Sequence, residues 1–211
     1  MKTLIINAHP DYTNKKHYSV LFQEKFLFNF KKRFPEELPT IINLYEDDIP
    51  RIEHGQLLSI WDKEEKNEEL NSEEKRLKEI SLNLLNQFKN HHRIVLTTPL
   101  HNFNVTSKTK DYIDNLLIAR ETFKYTEDGS VGLMTDDYKL LTIQASGSIY
   151  TKEDRYKSLD ISSLYIKGIF EEIMGFSTVE FLRLEGTAFL PEDLIISNGE
   201  KELSRLMDSF Y

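Results

Sequence analysis

Thr97-Thr98-Pro99-Leu100-His101-Asn102-Phe103-Asn104-Val105 is the stretch on which the reading of this chain turns. The apolar run Ile94-Val95-Leu96 leads into it, and a helix-like run from Thr106 to Ile118 follows. A short β-branched run that halts at proline reads as a buried strand, because proline cannot donate to a ladder and also restricts the residue before it. A loop at the carboxyl end of a central strand is where open α/β sheets seat their ligands. This loop carries an imidazole (His101), an amide (Asn102) and an aromatic ring (Phe103). It is read as one wall of a ligand site, with the rest of the chain as its frame.

Towards the N-terminus, Leu4-Ile5-Ile6-Asn7-Ala8 forms a second apolar run, typical of parallel strands buried on both faces. The polar segment His9 to Ser19 follows, and then Phe22, Phe26 and Phe30 recur at helical spacing. The unit is therefore strand, polar loop, helix. Such a loop offers free backbone N–H groups at a helix N-terminus, where phosphate is favoured by donors and dipole together. Thr13, Asn14 and Ser19 add side-chain donors, and Lys15, Lys16 or His17 add charge. There is no Gly-rich dinucleotide fingerprint and no P-loop. The single phosphate of FMN suits this loop better than ATP. An ordinary capped helix start in a surface loop is the competing reading.

Thr40 to Tyr45 reads as the second strand, and Leu57 to Asp62 holds Trp61, which is taken as a core anchor, with an interface position as the alternative. Asn71 and Glu74 resemble a capping box ahead of a helix that buries Leu77, Ile80, Leu84 and Phe88 and ends near Asn90. Beyond the opening stretch, a helix from about Thr106 turns Tyr112, Ile113, Leu116 and Leu117 inward. Phe123 and Tyr125 alternate before Asp128-Gly129, as in a small hairpin or flap. Lys139 to Gln144 is the fourth strand. It runs into Ala145-Ser146-Gly147-Ser148-Ile149-Tyr150, where small residues let backbone approach a ligand closely, or else make an ordinary tight turn. A helix over Ser158–Met174, a fifth strand over Ser177–Leu184, and a last helix opened by Pro191 at its first position complete the chain.

Strands and helices alternate throughout. The expected fold is a flavodoxin-like, doubly wound, five-stranded parallel sheet of order 2-1-3-4-5 with helices on both faces. No linker or repeat interrupts the chain, so residues 1–211 are expected to form one domain. The ligand loops should follow strands one, three and four, and those are the three loops singled out above.

Composition narrows the function. Lys and Arg number 27 against 35 Asp and Glu, a net charge of −8 that opposes nucleic-acid binding. Cys is absent, which rules out disulfides, thiolate metal sites and thiol catalysis, and fits the cytoplasm. The six His lack metal-ligand spacing, so no metal is expected. No segment is long and apolar enough for membrane insertion, and the N-terminal run is too short for a signal peptide.

Further residues carry a family resemblance. Thr122-Phe123-Lys124-Tyr125-Thr126-Glu127-Asp128-Gly129, with Gly132-Leu133 after it, resembles the flap of FMN-dependent NADH-azoreductases. Pro99-Leu100-His101-Asn102-Phe103-Asn104 resembles their flavin loop, usually Pro-Met-Tyr-Asn-Phe-Asn. Lys110-Asp111-Tyr112-Ile113-Asp114 and Glu185-Gly186-Thr187-Ala188-Phe189 also match. Two segments depart from that pattern. Ala145-Ser146-Gly147-Ser148 replaces the azoreductase Ser-Arg-Gly-Gly, and together with Ile149-Tyr150 and with Ala8-His9-Pro10 is more similar to the FAD-containing NAD(P)H:quinone reductases. The His that those enzymes place beyond their Tyr is absent here, where Asp154, Arg155 and Tyr156 stand.

The resemblance implies a flavin-dependent NAD(P)H oxidoreductase that reduces quinones or azo compounds by ping-pong two-electron hydride transfer. Its cofactor would be FMN, with FAD as the alternative, and its donor NADH or NADPH. His9, Asn14, Lys16, His17 and Ser19 would hold the phosphate. Pro99, Leu100, His101, Asn102, Phe103, Ala145, Ser146, Gly147 and Ser148 would hold the ring system. Phe123, Tyr125 and Tyr150 would line the substrate pocket, with His101 and Tyr150 as candidate proton donors. It also implies a homodimer sharing its active sites, with Trp61, Phe123 and Tyr125 near the interface. A flavodoxin-type electron carrier and a quinone reductase-like regulatory subunit of a transport system are the alternatives.

Overall fold

The alternating pattern becomes, in chain order, strands β1 (Thr3–Asn7), β2 (Thr40–Asn43), β3 (Arg93–Pro99), β4 (Phe123–Thr126), β5 (Gly129–Gly132), β6 (Lys139–Ala145) and β7 (Thr178–Leu184). The helices are α1 (Tyr18–Arg33), α2 (Leu57–Glu65), α3 (Ser72–Lys89), α4 (Ser107–Leu116), α5 (Ile161–Lys167) and α6 (Glu192–Phe210). The structure is a computed structural model that describes residues 2–211. Five strands make one all-parallel sheet in the order β2-β1-β3-β6-β7, which is the expected 2-1-3-4-5 order once the β4–β5 hairpin is set apart. The fold is flavodoxin-like.

The two-residue period of the strands divides the core. Leu4, Ile6, Ile94, Leu96 and Leu140 face Leu84, Phe88, Tyr112, Ile113, Leu116, Ile166 and Phe170 on one side. Ile5, Val95, Leu141, Ile143 and Leu182 face Phe22, Phe26, Phe30, Leu203, Leu206, Met207 and Phe210 on the other. At about 1.5–3 kcal/mol for each fully buried large apolar side chain, these two layers are the main stabilising term of the fold. The predicted capping box is present. Asn71 Oδ1 accepts from Glu74 N–H at 2.9 Å, and Glu74 Oε2 accepts from Asn71 N–H at 2.8 Å.

Four expectations are corrected. The second strand ends at Asn43 rather than Tyr45, because the Asn43 carbonyl accepts from Glu46 and Asp47 N–H and turns the chain. The helix expected over Ser158–Met174 is broken at Asp160, whose carboxylate accepts from Ser163 N–H at 3.2 Å and pairs with Arg183 at 2.8 Å. It then widens into a π-turn over Gly168–Ile173. Pro191, with ψ 136, stands one residue ahead of α6 as its N-cap rather than in its first turn. Trp61 is 36% exposed, so it is not a core anchor: only Leu57 and Ile60 of α2 are buried. Among the described residues no helix is long and apolar enough to cross a membrane.

Candidate functional site

Because β1, β3 and β6 are adjacent and parallel, their carboxyl ends deliver three loops to one edge of the sheet. Hydrogen bonds join them. Ala8 N–H donates to Thr97 O at 2.8 Å, Thr106 Oγ1 to Ala8 O at 3.2 Å, and Leu100 N–H to Ala145 O at 2.8 Å.

The first loop is held in shape by its own side chains. Asn7 Oδ1 accepts from His9 N–H at 3.0 Å, and His9 Nδ1 accepts from Asp11 N–H at 3.0 Å. Asp11 in turn accepts from Asn14 Nδ2 at 2.8 Å and lies 2.9 Å from His17 Nε2. Asn14 also accepts from Lys16 N–H at 3.1 Å, so its amide shapes the loop. The His9 and His17 rings stack 4.2 Å apart. Burial, with His17 adding to it, pushes the His9 imidazole below its ordinary value. Lys16 is exposed. The first turn of α1 has no side-chain cap, and inside that turn the buried Ser19 Oγ has no partner among the described residues. An orphaned buried hydroxyl costs about 1–3 kcal/mol, and an uncapped helix start attracts anions. Both fit a phosphate.

The second loop folds into a two-residue turn. His101 and Asn104 exchange backbone hydrogen bonds at 2.9 and 3.0 Å around Asn102 (φ 48) and Phe103 (φ 69). Left-handed backbone is rare for an aromatic residue, and such strain gathers at ligand sites. The turn leaves His101, Asn102 and Phe103 exposed, beside the half-buried Pro99 and Leu100. Ser162 N–H holds the Phe103 carbonyl at 3.2 Å.

In the third loop, Ser146 N–H donates to Leu184 O at 3.0 Å, while the N–H groups of Gly147 and Ser148 have no partner among the described residues. Tyr150 lies edge-on to Phe103 with centroids 6.4 Å apart. Burial, and the nearby Tyr156, Asp160 and Glu185, push its hydroxyl up. The two loops thus meet at an aromatic corner, with free amide donors on one flank. That donor set fits the edge of a flavin, and the first loop fits its phosphate.

Phe123 and Tyr125 do not join this site within one chain. They follow the far end of α4, with Glu121 bonded to Lys89 at the end of α3 and Gly132 packed on Met174, just ahead of β6 and β7. The flap therefore leaves from the amino-terminal edge of the sheet, opposite the loops. Tyr125 is 75% exposed there. Sequence reasoning gave no site role to Thr106, Ser162 or Glu185, which brace the loops from behind. Thr106 is legible as a helix N-cap, but its partner Ala8 lies 98 residues away.

Comparison with known proteins agrees with this fold. A family model described as flavodoxin-like fold matches residues 1–206. The FMN-dependent NADH:quinone oxidoreductase 1 of Lactiplantibacillus plantarum is 49% identical, covering 100% of this chain and 99% of its own. The FMN-dependent NADH:quinone oxidoreductase of Streptococcus agalactiae is 45% identical over 100% of this chain and 99% of its own. A Bacillus anthracis FMN-dependent NADH-azoreductase, solved in complex with FMN, superposes with a TM-score of 0.94 at 42% identity, covering 99% of this chain and 98% of that one.

Proposed function

Since the chain belongs to the flavodoxin-like family and, within it, to the FMN-dependent NADH:quinone oxidoreductases, we propose that it is an FMN-dependent NADH:quinone oxidoreductase and azoreductase, one flavin domain spanning residues 1–211. When bound, FMN supplies the two-electron chemistry, taking a hydride from NADH and passing it to a quinone or azo acceptor. Everything else falls to the protein. Ser19, the uncapped start of α1, His9 and His17 hold the phosphate, in a loop shaped by Asn14 and Lys16. Pro99 to Phe103 border the ring system on one side. The N–H groups of Gly147 and Ser148 face it from the other, where fixed donors favour the negative charge of the reduced ring. Phe103 and Tyr150 would border the ring on the side where donor and acceptor take turns in ping-pong fashion. His101 and Tyr150 would serve there as proton donors to the reduced acceptor.

The orphaned Ser19 hydroxyl beneath an uncapped helix is the observation that carries this reading. Because the flap lies at the other end of the sheet, Phe123 and Tyr125 reach an acceptor only in a homodimer, where each subunit's flap serves its partner's loops, with the exposed Trp61 near the interface. The absence of Cys suits a cytoplasmic enzyme. The test is direct. Purified protein should be yellow, release FMN by mass, bleach anaerobically with NADH and recover its colour with a quinone. Protein that binds FMN but is not reduced by NADH would be an electron carrier instead.

A further inference from the structure

The segment after β7, Glu185-Gly186-Thr187-Ala188, has no part in the chemistry above, yet it hydrogen-bonds most of the loop that follows β6. Gly186 N–H donates to Ser148 O at 3.2 Å, Thr187 N–H to Ser146 O at 3.1 Å, and Ala188 N–H to Gly147 O at 3.3 Å. Thr187 Oγ1 adds a second bond to Ser146 O at 3.1 Å. In a trans peptide the carbonyl and the N–H of one unit point in opposite directions. Among the described residues no peptide is cis. Fixing the carbonyls of Ser146, Gly147 and Ser148 towards this segment therefore fixes the N–H groups of Gly147, Ser148 and Ile149 away from it. The far end of the same loop is held by one side chain. Glu185 Oε1 accepts from Tyr150 N–H at 2.7 Å, and Oε2 accepts from Thr151 Oγ1 at 2.5 Å. Gly186, at φ 73, lets the chain turn immediately after Glu185, and a Cβ there would lie 2.6 Å from Leu190 Cδ1.

We propose that Glu185 is a positioning residue that aims the amide donors of Gly147 and Ser148 at the flavin ring by anchoring Tyr150 and Thr151. The inference rests on the flavin reading above. Glu185 touches neither the ring nor a substrate and acts through the loop. Reduced FMN carries more negative charge on its ring than oxidised FMN, so aligned N–H donors favour the reduced form. Releasing the loop loosens reduced FMN more than oxidised FMN.

The experiment compares FMN affinity by fluorescence titration, and the two-electron midpoint potential, in wild-type protein and in the Glu185→Ala, Glu185→Gln and Thr151→Val variants. A Gln carbonyl still accepts from Tyr150 N–H, and its amide donates to Thr151 Oγ1, so Glu185→Gln should behave as wild type. In Glu185→Ala the preference for reduced over oxidised FMN should fall roughly tenfold, the loss of one charge-assisted hydrogen bond, moving the midpoint about 30 mV more negative. Thr151→Val, which keeps the Tyr150 tether, should shift it the same way by less, and it carries the test if Glu185→Ala does not fold. Wild-type protein that takes up no FMN would overturn the functional reading itself. A wild-type midpoint retained in Glu185→Ala, or in Thr151→Val where that variant stands in, would overturn the role of Glu185 alone. So would an equal shift in Glu185→Gln and Glu185→Ala, which would make the charge rather than the anchoring responsible.

Discussion

His9 and His17 stack with ring centroids 4.2 Å apart and planes 29° from parallel, at the mouth of the uncapped helix α1. His9 Nδ1 is occupied by Asp11 N–H, so the ring keeps this contact only while that nitrogen is unprotonated.

That arrangement sets a pH dependence. Burial holds His9 below its ordinary value of 6.5. The unfolded chain therefore binds more protons in this range, and stability rises with pH. The contribution is complete above about 6.5 and disappears as pH falls through the lower folded value. The urea midpoint of flavin-free protein should drop between about pH 7.5 and 5.5. The drop should be smaller in His9→Gln, and equal drops would refute the assignment.

In the proposed phosphate seat, the unpartnered Ser19 hydroxyl waits for the ligand at a cost to the free protein. Removing an unpartnered buried hydroxyl relieves its desolvation penalty. Ser19→Ala should melt at higher temperature than wild type without FMN, by about 1 kcal/mol of stability, and bind FMN roughly tenfold more weakly. Calorimetry and fluorescence titration give the two values. Parallel losses of stability and affinity would show that Ser19 is merely structural.

Gly132 fixes the root of the flap. A Cβ at this position would lie 2.4 Å from the Met174 carbonyl carbon and oxygen and 2.5 Å from Gly175 N. Backbone cannot yield as a flexible side chain does, so Gly132→Ala should cost about 1–3 kcal/mol. Limited proteolysis should then cut the β4–β5 hairpin faster, while FMN affinity stays as in wild type. A resistant hairpin would mean that the flap is anchored elsewhere.

The separation of flap and loops predicts complementation. Ser19→Glu spoils the phosphate seat of one subunit, and Tyr125→Asp spoils the flap of another. Unfolding-free exchange of the two variants should restore about a quarter of wild-type turnover, because half the dimers are mixed and each mixed dimer holds one intact site. Mixing that restores nothing would place each flap with its own loops.

Much of this was readable beforehand. Ile94-Val95-Leu96 before Pro99, and Phe22, Phe26 and Phe30 at one-turn spacing, report burial through periodicity, so strands, helices and their order could be placed. The three loops followed because parallel strands put their carboxyl ends together. Local energetics hid more. The break at Asp160 depends on Arg183, and the exposure of Trp61 depends on how α2 lies against its neighbours, neither of which shows in linear spacing. The flap residues were recognised by type, but their distance from the loops is a matter of topology. The same rule that located the loops after β1, β3 and β6 also applies to β7. Carried one strand further, it would have given Glu185 a place beside those loops.

The hairpin's departure from the far edge of the sheet has a consequence for substitution. Under the proposed function, the flap residues Phe123 and Tyr125 and the loops that would seat the cofactor occupy opposite poles of the polypeptide, braced by different neighbours. On that reading, substitutions at the flap can reshape acceptor contacts while the loops proposed to seat the flavin stay intact.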